Sequence, residues 1–299
     1  MTEKNELLIT RIIAVAMAVL FCVTVIVNLI PDATRAVSGG SQSENAPSGN
    51  GGTSGKKKVA FTFDDGPQAP AEDLENGFYP YTMYILNKLD ELDMRATFFV
   101  LGNRASTYSN AIRRAKELGC EIGSHTYDHG TKFVDNGTPV SDETVKSVLK
   151  QASDAIVAAG FDAPTLFRPV GGAVNEHQLG VIHGEGYITV GWSVDSLDWD
   201  GRPSTGDKLS DDPARNEKYW NFVNSRVDAM FAQIKDGDIV LMHDIYMSSA
   251  DIFILLADKL VENGFELVTV SEILSDSINA NGKMPVMYTS SKETLLGMN

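Results

Sequence analysis

The chain has 299 residues, 43% of them hydrophobic and 22% charged, which is enough for one large folded domain or two small ones with a genuine core. The formal net charge is −15, and none of the excess lies within residues 1–30, where Lys4 and Arg11 cancel Glu3 and Glu6. An acidic surface of this kind excludes nucleic acid and an anionic bilayer as broad electrostatic partners, while leaving a neutral sugar open.

Residues 1–11 read as a short cytoplasmic N-terminus. No charged residue occurs between Arg11 and Asp32. The apolar run over residues 12–30 is long enough, at ~1.5 Å per residue, to span a hydrocarbon core of roughly 30 Å. It reads as a single transmembrane signal-anchor, because a cleavable signal has only about 7–15 apolar residues and no small-x-small site follows Ile30. Secretion after signal cleavage is the alternative. Lys4, Arg11 and the α-amino group favour a cytoplasmic N-terminus, which places the remainder outside the cell membrane on a single-pass anchor. Residues 31–57, rich in Ser and Gly, read as a flexible linker. Lys56, Lys57 and Lys58 read as a solvated entrance to the first strand. The two cysteines, Cys22 and Cys120, stand on either side of this linker and do not pair. Cys120 reads as a small buried hydrophobe, with a thiolate ligand beside His125 as the alternative.

A domain over residues 58–275 then alternates strand-like and helix-like runs. Strands are expected at Val59–Phe63, Ala96–Val100, Glu121–Ser124, Thr165–Arg168, Ile188–Trp192, Ile239–Met242 and Glu266–Val270. Helices are expected at Tyr81–Leu92, Tyr108–Leu118, Asp142–Ala159, Val223–Ile234 and Ile252–Asn263. Alternation of this kind predicts a parallel sheet with right-handed crossovers, and seven strands point to a barrel. The segments Gln68–Pro80 and Asp200–Glu217 read as long loops, the second without an apolar face to bury. Residues 276–299 read as a polar, loosely packed tail.

Chemistry-bearing residues follow the strands directly: Asp64 and Asp65, His125, Arg168, Asp195, and His243. In an α/β barrel such positions converge on one face. Taken singly, each has an ordinary reading. Asp64-Asp65-Gly66-Pro67 is a turn signal, the His125 to His129 spacing is weak, Arg168 suits a buried ion pair, and His243 suits a satisfied core histidine. Together, two adjacent carboxylates and two imidazoles four residues apart can hold one divalent metal and leave a carboxylate free beside it, as a metal-assisted hydrolase requires.

The order of these segments resembles the polysaccharide deacetylase family, also called carbohydrate esterase family 4 or the NodB homology domain. The resemblance runs from about Lys58 to Leu274. It rests on FTFDDG at Phe61–Gly66, HTYDH at His125–His129, FRPVGG at Phe167–Gly172, DSLDW at Asp195–Trp199 and IVLMH at Ile239–His243. Val170 departs from the family's frequent second proline. The resemblance implies a distorted (β/α)7 barrel of the NodB-homology type, here preceded by the single transmembrane helix. It implies Asp65, His125 and His129 as ligands of one divalent metal, zinc by preference, with cobalt or nickel tolerated. Asp64 would be the general base and His243 the general acid. Arg168 would orient Asp64, and Asp195 would orient either Arg168 or His243. The backbone N–H of Gly171 would stabilise an oxyanion, Leu241 would line the acetyl pocket, and Trp199 would form one wall of the sugar groove or belong to the core.

The expected function is removal of N-acetyl groups from N-acetylglucosamine residues of an extracytoplasmic polysaccharide. Peptidoglycan comes first because of the anchor, with a chitin-like oligosaccharide as the alternative glycan. An O-acetyl esterase on xylan or another glycan is a second reading. A catalytically silent glycan-binding module is a third, but it would be expected to lack Asp64 or a ligand, and none is missing. No nucleic-acid partner is expected, and the sequence leaves the oligomeric state open.

Overall fold

The computed structural model describes residues 56–68, 80–281 and 285–295. The expected membrane anchor, most of the linker and the core of the Gln68–Pro80 loop lie outside the described residues. Among the described residues no helix is long and apolar enough to cross a membrane.

Strand β1 (Lys57–Asp64) is the central element. Val59, Ala60, Phe61 and Phe63 are all fully buried, so the strand reads as a continuous apolar run, as one covered on both faces must. It is followed by α1 (Tyr81–Leu92), β2 (Thr97–Val100), α2 (Gly102–Ala105), α3 (Ser109–Glu117) and β3 (Glu121–Ser124). A small hairpin comes next, β4 (Val134–Asp135) and β5 (Thr138–Pro139), turning through Asn136 and Gly137, both at positive φ. An Asn-Gly pair suits a turn that needs two left-handed residues. Helix α4 (Asp142–Ala158) is capped by the Ser141 hydroxyl, which accepts from Thr144 N. Then follow β6 (Leu166–Phe167), α5 (Glu176–Gly184), β7 (Ile188–Val190) and β8 (Val194–Asp195). The chain continues through α6 (Thr205–Lys208), α7 (Pro213–Gln233), β9 (Ile239–His243), α8 (Met247–Glu262), β10 (Phe265–Leu267), α9 (Val270–Asn281), β11 (Met287–Tyr288) and β12 (Thr294–Leu295).

The sheet runs β12-β11-β7-β6-β3-β2-β1-β9-β8, parallel from β11 through β8. β7 and β8 stand far apart on this path, yet only Gly191, Trp192 and Ser193 separate them in the chain. The sheet therefore curls round, and these three residues carry the chain from β7 across to the edge strand β8. The expected distorted (β/α)7 barrel is met as a curled, half-closed parallel sheet. The carbonyls of Val190 and Gly191 are occupied by the Arg168 guanidinium, at 3.2 Å from Nε and 2.7 Å from Nη2. The seventh expected strand, β10, stands off the ring and pairs only with Lys57–Val59 of β1.

The core lies between the sheet and the outer helices. Phe63 stacks on Phe98 at 5.1 Å, and Phe253 of α8 meets Phe61 and Phe63 edge-on at 5.2 Å. Cys120 sits in this core, where burial pushes its thiol up to about 11, matching a small hydrophobe and not a thiolate.

Two expectations about loops are corrected. Half of the Asp200–Glu217 segment is helical and docked. Ser204 and Asp207 form a capping box on α6, and Pro213 opens α7 behind the Asp212 cap. Lys208 reaches Asp251 of α8 at 2.8 Å, Tyr219 donates to the same carboxylate at 2.5 Å, and Thr205 hydrogen-bonds Tyr81 at 3.1 Å. Nor do the described residues after 275 form a loose tail. Helix α9 runs to Asn281, β11 pairs with β7, and Val286, Met287 and Tyr288 are buried. Met287→Ala is therefore expected to destabilise the fold by about 2–5 kcal/mol, the usual cost of emptying a buried methionine site. Urea unfolding measures this, and a change below about 0.5 kcal/mol would put the segment outside the cooperative unit.

Candidate active site

β1 ends at Asp64, which is 3% exposed. Its Oδ1 accepts from Arg168 Nη1 at 2.8 Å, and its Oδ2 lies 3.7 Å from His125 Nε2. Arg168 is fully buried. Besides Asp64 and the two carbonyls already named, it donates to Thr62 Oγ1 at 2.7 Å, and its guanidinium lies over the Phe99 ring at 4.3 Å. A buried cation with this many partners can only hold Asp64 in one orientation.

The next residue, Asp65, leaves the strand at φ 73, which turns its carboxylate away from that of Asp64. Arg104 Nη1 secures the turn by donating to Asp65 O at 2.6 Å. Gly66 follows, where a Cβ would stand 1.9 Å from Asp244 Oδ1. Asp244 is itself buried, accepts from Thr82 Oγ1 at 2.5 Å, and is pushed up to about 7 chiefly by burial. Only glycine fits between the two motifs here. Gly66→Ala is expected to cost about 1–3 kcal/mol, as overpacking does, and to weaken metal binding by displacing Asp65. Thermal unfolding and metal titration of the variant check this, and parental values in both would mean that Asp244 yields without strain.

β3 delivers His125, 2% exposed, whose Nδ1 donates to Arg168 O at 2.8 Å. That bond fixes the tautomer and leaves the Nε2 lone pair free. The segment to His129 is a tight loop and not a helix, with Thr126 at φ 71 and His129 at φ 65. Thr126 Oγ1 accepts from His129 N at 3.0 Å, and the loop is tied to α2 through Gly102 N to Thr126 O at 3.0 Å. Both imidazole Nε2 atoms lie 3.5 Å from Asp65 Oδ1. That oxygen is buried and has no hydrogen-bond partner among the described residues. Burial also pushes the His129 imidazole down towards its neutral form, against the pull of Asp65.

An orphaned carboxylate oxygen facing two imidazole nitrogens suits a divalent cation. Ligand atoms ~2.0–2.1 Å from a tetrahedral ion stand about 3.3–3.4 Å apart. The ligand atoms of Asp65, His125 and His129 all lie within 4.8 Å of one another, so the three residues fit such an ion.

β9 delivers His243 directly beside Asp64, its register partner on the neighbouring strand. Its Nδ1 bonds Asp198 Oδ1 at 2.8 Å, while its backbone N donates to Asp198 Oδ2 at 2.8 Å. Asp198 is fully buried and also accepts from Ser249 Oγ at 2.6 Å. Burial opposes charge on His243, but the Asp198 hydrogen bond and charge, backed by Asp64 and Asp65, outweigh it and raise the imidazole to about 9.

Asp195 does not take the expected place. Its Oδ1 accepts from Leu197 N at 2.9 Å, and among the described residues its side chain bonds neither Arg168 nor His243. Asp198 holds His243 instead. Leu197, at φ 51, turns the segment so that Asp198 points inward and Trp199, 50% exposed, points outward. The sequence signal was the second carboxylate of DSLDW. Arg104 and Asp244 also went unread, since nothing local marks them.

Asp64, Asp65, His125, His129 and His243 line a groove of about 540 Å³ with Lys132, Val170, Gly171, Trp192, Asp195, Trp199, Leu241 and Tyr246. Gly171 (φ 62) forms part of its wall, and Trp199 belongs to the groove and not to the core. The arrangement can activate water beside a cation, bind a flat polar group against Trp199, and supply a proton from His243.

The polysaccharide deacetylase family model matches residues 51–190. The peptidoglycan-N-acetylmuramic acid deacetylase PdaC of Bacillus subtilis is 33% identical over 221 residues, which are 73% of this chain and 39% of that protein. A peptidoglycan-N-acetylglucosamine deacetylase of Bacillus cereus is 31% identical over 224 residues, 73% of this chain and 89% of that protein. The chain thus spans about two fifths of the first relative and most of the second. The solved structure of the Bacillus subtilis peptidoglycan deacetylase PdaC superposes with a TM-score of 0.58 at 30% identity, covering 76% of this chain and 95% of that one.

Proposed function

The chain belongs to the polysaccharide deacetylase family, and we propose that it hydrolyses the N-acetyl group of N-acetylglucosamine residues in peptidoglycan, with zinc at the triad. The observation that carries this reading is the pairing of Asp64 with His243 across neighbouring strand ends, the first hydrogen-bonded to Arg168 and the second held by Asp198, which favours its protonated form. A carboxylate base and an imidazole acid beside one cation site are what amide hydrolysis requires. The names of the two Bacillus relatives support a peptidoglycan substrate.

A divalent ion held by Asp65, His125 and His129 would polarise the acetyl carbonyl and lower the pKa of the attacking water. Two imidazoles and a carboxylate suit zinc and also accept cobalt or nickel. Asp64 takes the water's proton at Oδ2, because Arg168 occupies Oδ1. The Gly171 backbone lies in the wall where an oxyanion would develop. His243, held at Nδ1 by Asp198, donates from Nε2 to the amide nitrogen as the carbon–nitrogen bond breaks. Acetate and a free amine leave. Leu241, 5% exposed, lines the groove as an apolar contact for the acetyl methyl, and Trp199 offers a flat face to the sugar.

The apolar run over residues 12–30 supports a single-pass anchor with the domain outside the membrane, which cell fractionation tests directly.

The functional test is acetate release by the full chain, loaded with zinc, from purified peptidoglycan and from N-acetylglucosamine oligomers. Release from peptidoglycan is expected. Release only from acetylated xylan would replace the amide reading by ester cleavage.

A further inference from the structure

The two segments that carry the three ligands of the cation site meet on one short stretch, Leu101–Arg104, which follows β2 and opens α2. Leu101 N donates to Gly66 O at 3.2 Å, and Arg104 Nη1 donates to Asp65 O at 2.6 Å. Gly102 N donates to Thr126 O at 3.0 Å, and Asn103 N donates to Tyr127 O at 2.8 Å. Two bonds thus go to the turn that bears Asp65, and two to the loop between His125 and His129. The stretch packs closely on its surroundings. Leu101 and Gly102 are buried, and a Cβ on Gly102 would stand 3.1 Å from both Ala152 Cα and Tyr127 Cδ2.

Three of these four bonds come from backbone N–H groups, which any residue but proline supplies. The fourth depends on one side chain. Among the described residues Arg104 is the only donor to Asp65 O, and that carbonyl is the only hydrogen-bond acceptor of its guanidinium. Asp65 needs the restraint, because at φ 73 it holds a left-handed conformation that a residue with a Cβ disfavours. Released from Arg104, the residue can relax towards negative φ. The carboxylate oxygen now 3.5 Å from both imidazole Nε2 atoms then moves with it.

Arg104 forms no ion pair among the described residues, although the charges of Asp65 and Asp244 both act on it. A guanidinium beside the site would by itself repel a metal cation, so charge and position act in opposite directions. Position is the larger effect here, because two carboxylates offset the charge and no other described group holds the carbonyl.

We propose that Arg104 is a positioning residue for the cation site, which keeps Asp65 in its left-handed turn beside His125 and His129 and so sets the metal affinity of the chain. This rests on the reading of those three residues as ligands. Arg104 does not line the reaction groove and leaves the bond-breaking groups unchanged.

The full chain, Arg104→Met, Arg104→Gln and Arg104→Lys are titrated with zinc against a competing chelator of known affinity, and kcat is measured at saturating zinc. Val223→Ala, in the core on α7, is the control for general destabilisation. Arg104→Met and Arg104→Gln are expected to weaken zinc binding about 10–100-fold, as loss of a group that orients a ligand does. Arg104→Lys, which keeps a donor, should recover part of the loss, and kcat at saturating zinc should fall far less than affinity. Val223→Ala should bind zinc as the parent does. If Arg104→Met fails to fold, Arg104→Gln and Arg104→Lys carry the comparison. Unchanged affinity would overturn the inference, and tighter binding would do so in favour of charge repulsion. An equal loss in Val223→Ala would reduce the effect to destabilisation and overturn it too. In each of these cases zinc uptake by the parent leaves the ligand reading standing, whereas a parent that takes up no zinc would overturn both.

Discussion

Asp64→Asn is expected to lower kcat about 10²–10⁴-fold while the protein keeps its metal, the usual effect of removing a general base. The amide is close in shape and still offers an oxygen to Arg168 Nη1, so the buried guanidinium keeps an acceptor. It has no basic oxygen at neutral pH, so the proton of the attacking water has nowhere to go. Asp65, and not Asp64, supplies the oxygen equidistant from the two imidazoles, so metal content should not change. Rate and bound zinc are measured on the same preparation. Activity within about twofold of the parent would reduce Asp64 to a turn residue, and loss of zinc would make it a ligand.

The second large effect is expected at His243. His243→Ala should depress deacetylation of N-acetylglucosamine oligomers about 10²–10⁴-fold, and hydrolysis of an activated aryl acetate far less, because an amine leaves poorly unless protonated. Equal losses on both substrates would argue for a binding role. The pH profile carries a further check. The acid works only when protonated, so its contribution is present below the raised value of about 9 and is lost above it. A cation at the triad opposes that rise, and Asp198 is the group that sustains it. Asp198→Asn should therefore move the alkaline limb of kcat to lower pH. A limb that stays in place would assign it to another group.

Much of the site is legible along the chain because metal ligation and proton transfer need particular side chains just past apolar runs. Asp64, Asp65, His125, Arg168 and His243 could be picked out in that way, and the curled sheet brings them together with His129. The parallel α/β alternation was legible for the same reason, since strands covered on both faces must be apolar throughout. The helix expected from Asp142 was also met, with Ser141 as its cap.

Other features depended on partners far along the chain. DSLDW offers two carboxylates, and the choice between them lies in a left-handed Leu197 and in a histidine 45 residues beyond Asp198. The expected distorted barrel takes the form of a curled sheet in which an arginine 22 and 23 residues upstream occupies the carbonyls of Val190 and Gly191. The segment after 281 looked loose because β11 is only two residues long, and its value lies in pairing with β7 and burying Met287. The sequence by itself determined which chemical groups the site contains and that they sit at strand ends, because side-chain identity and apolar periodicity are local properties. The tertiary structure alone decided which carboxylate holds which base, where the sheet stops closing and which cation reaches the groove, because those outcomes depend on hydrogen bonds and burial between residues that the sequence leaves far apart.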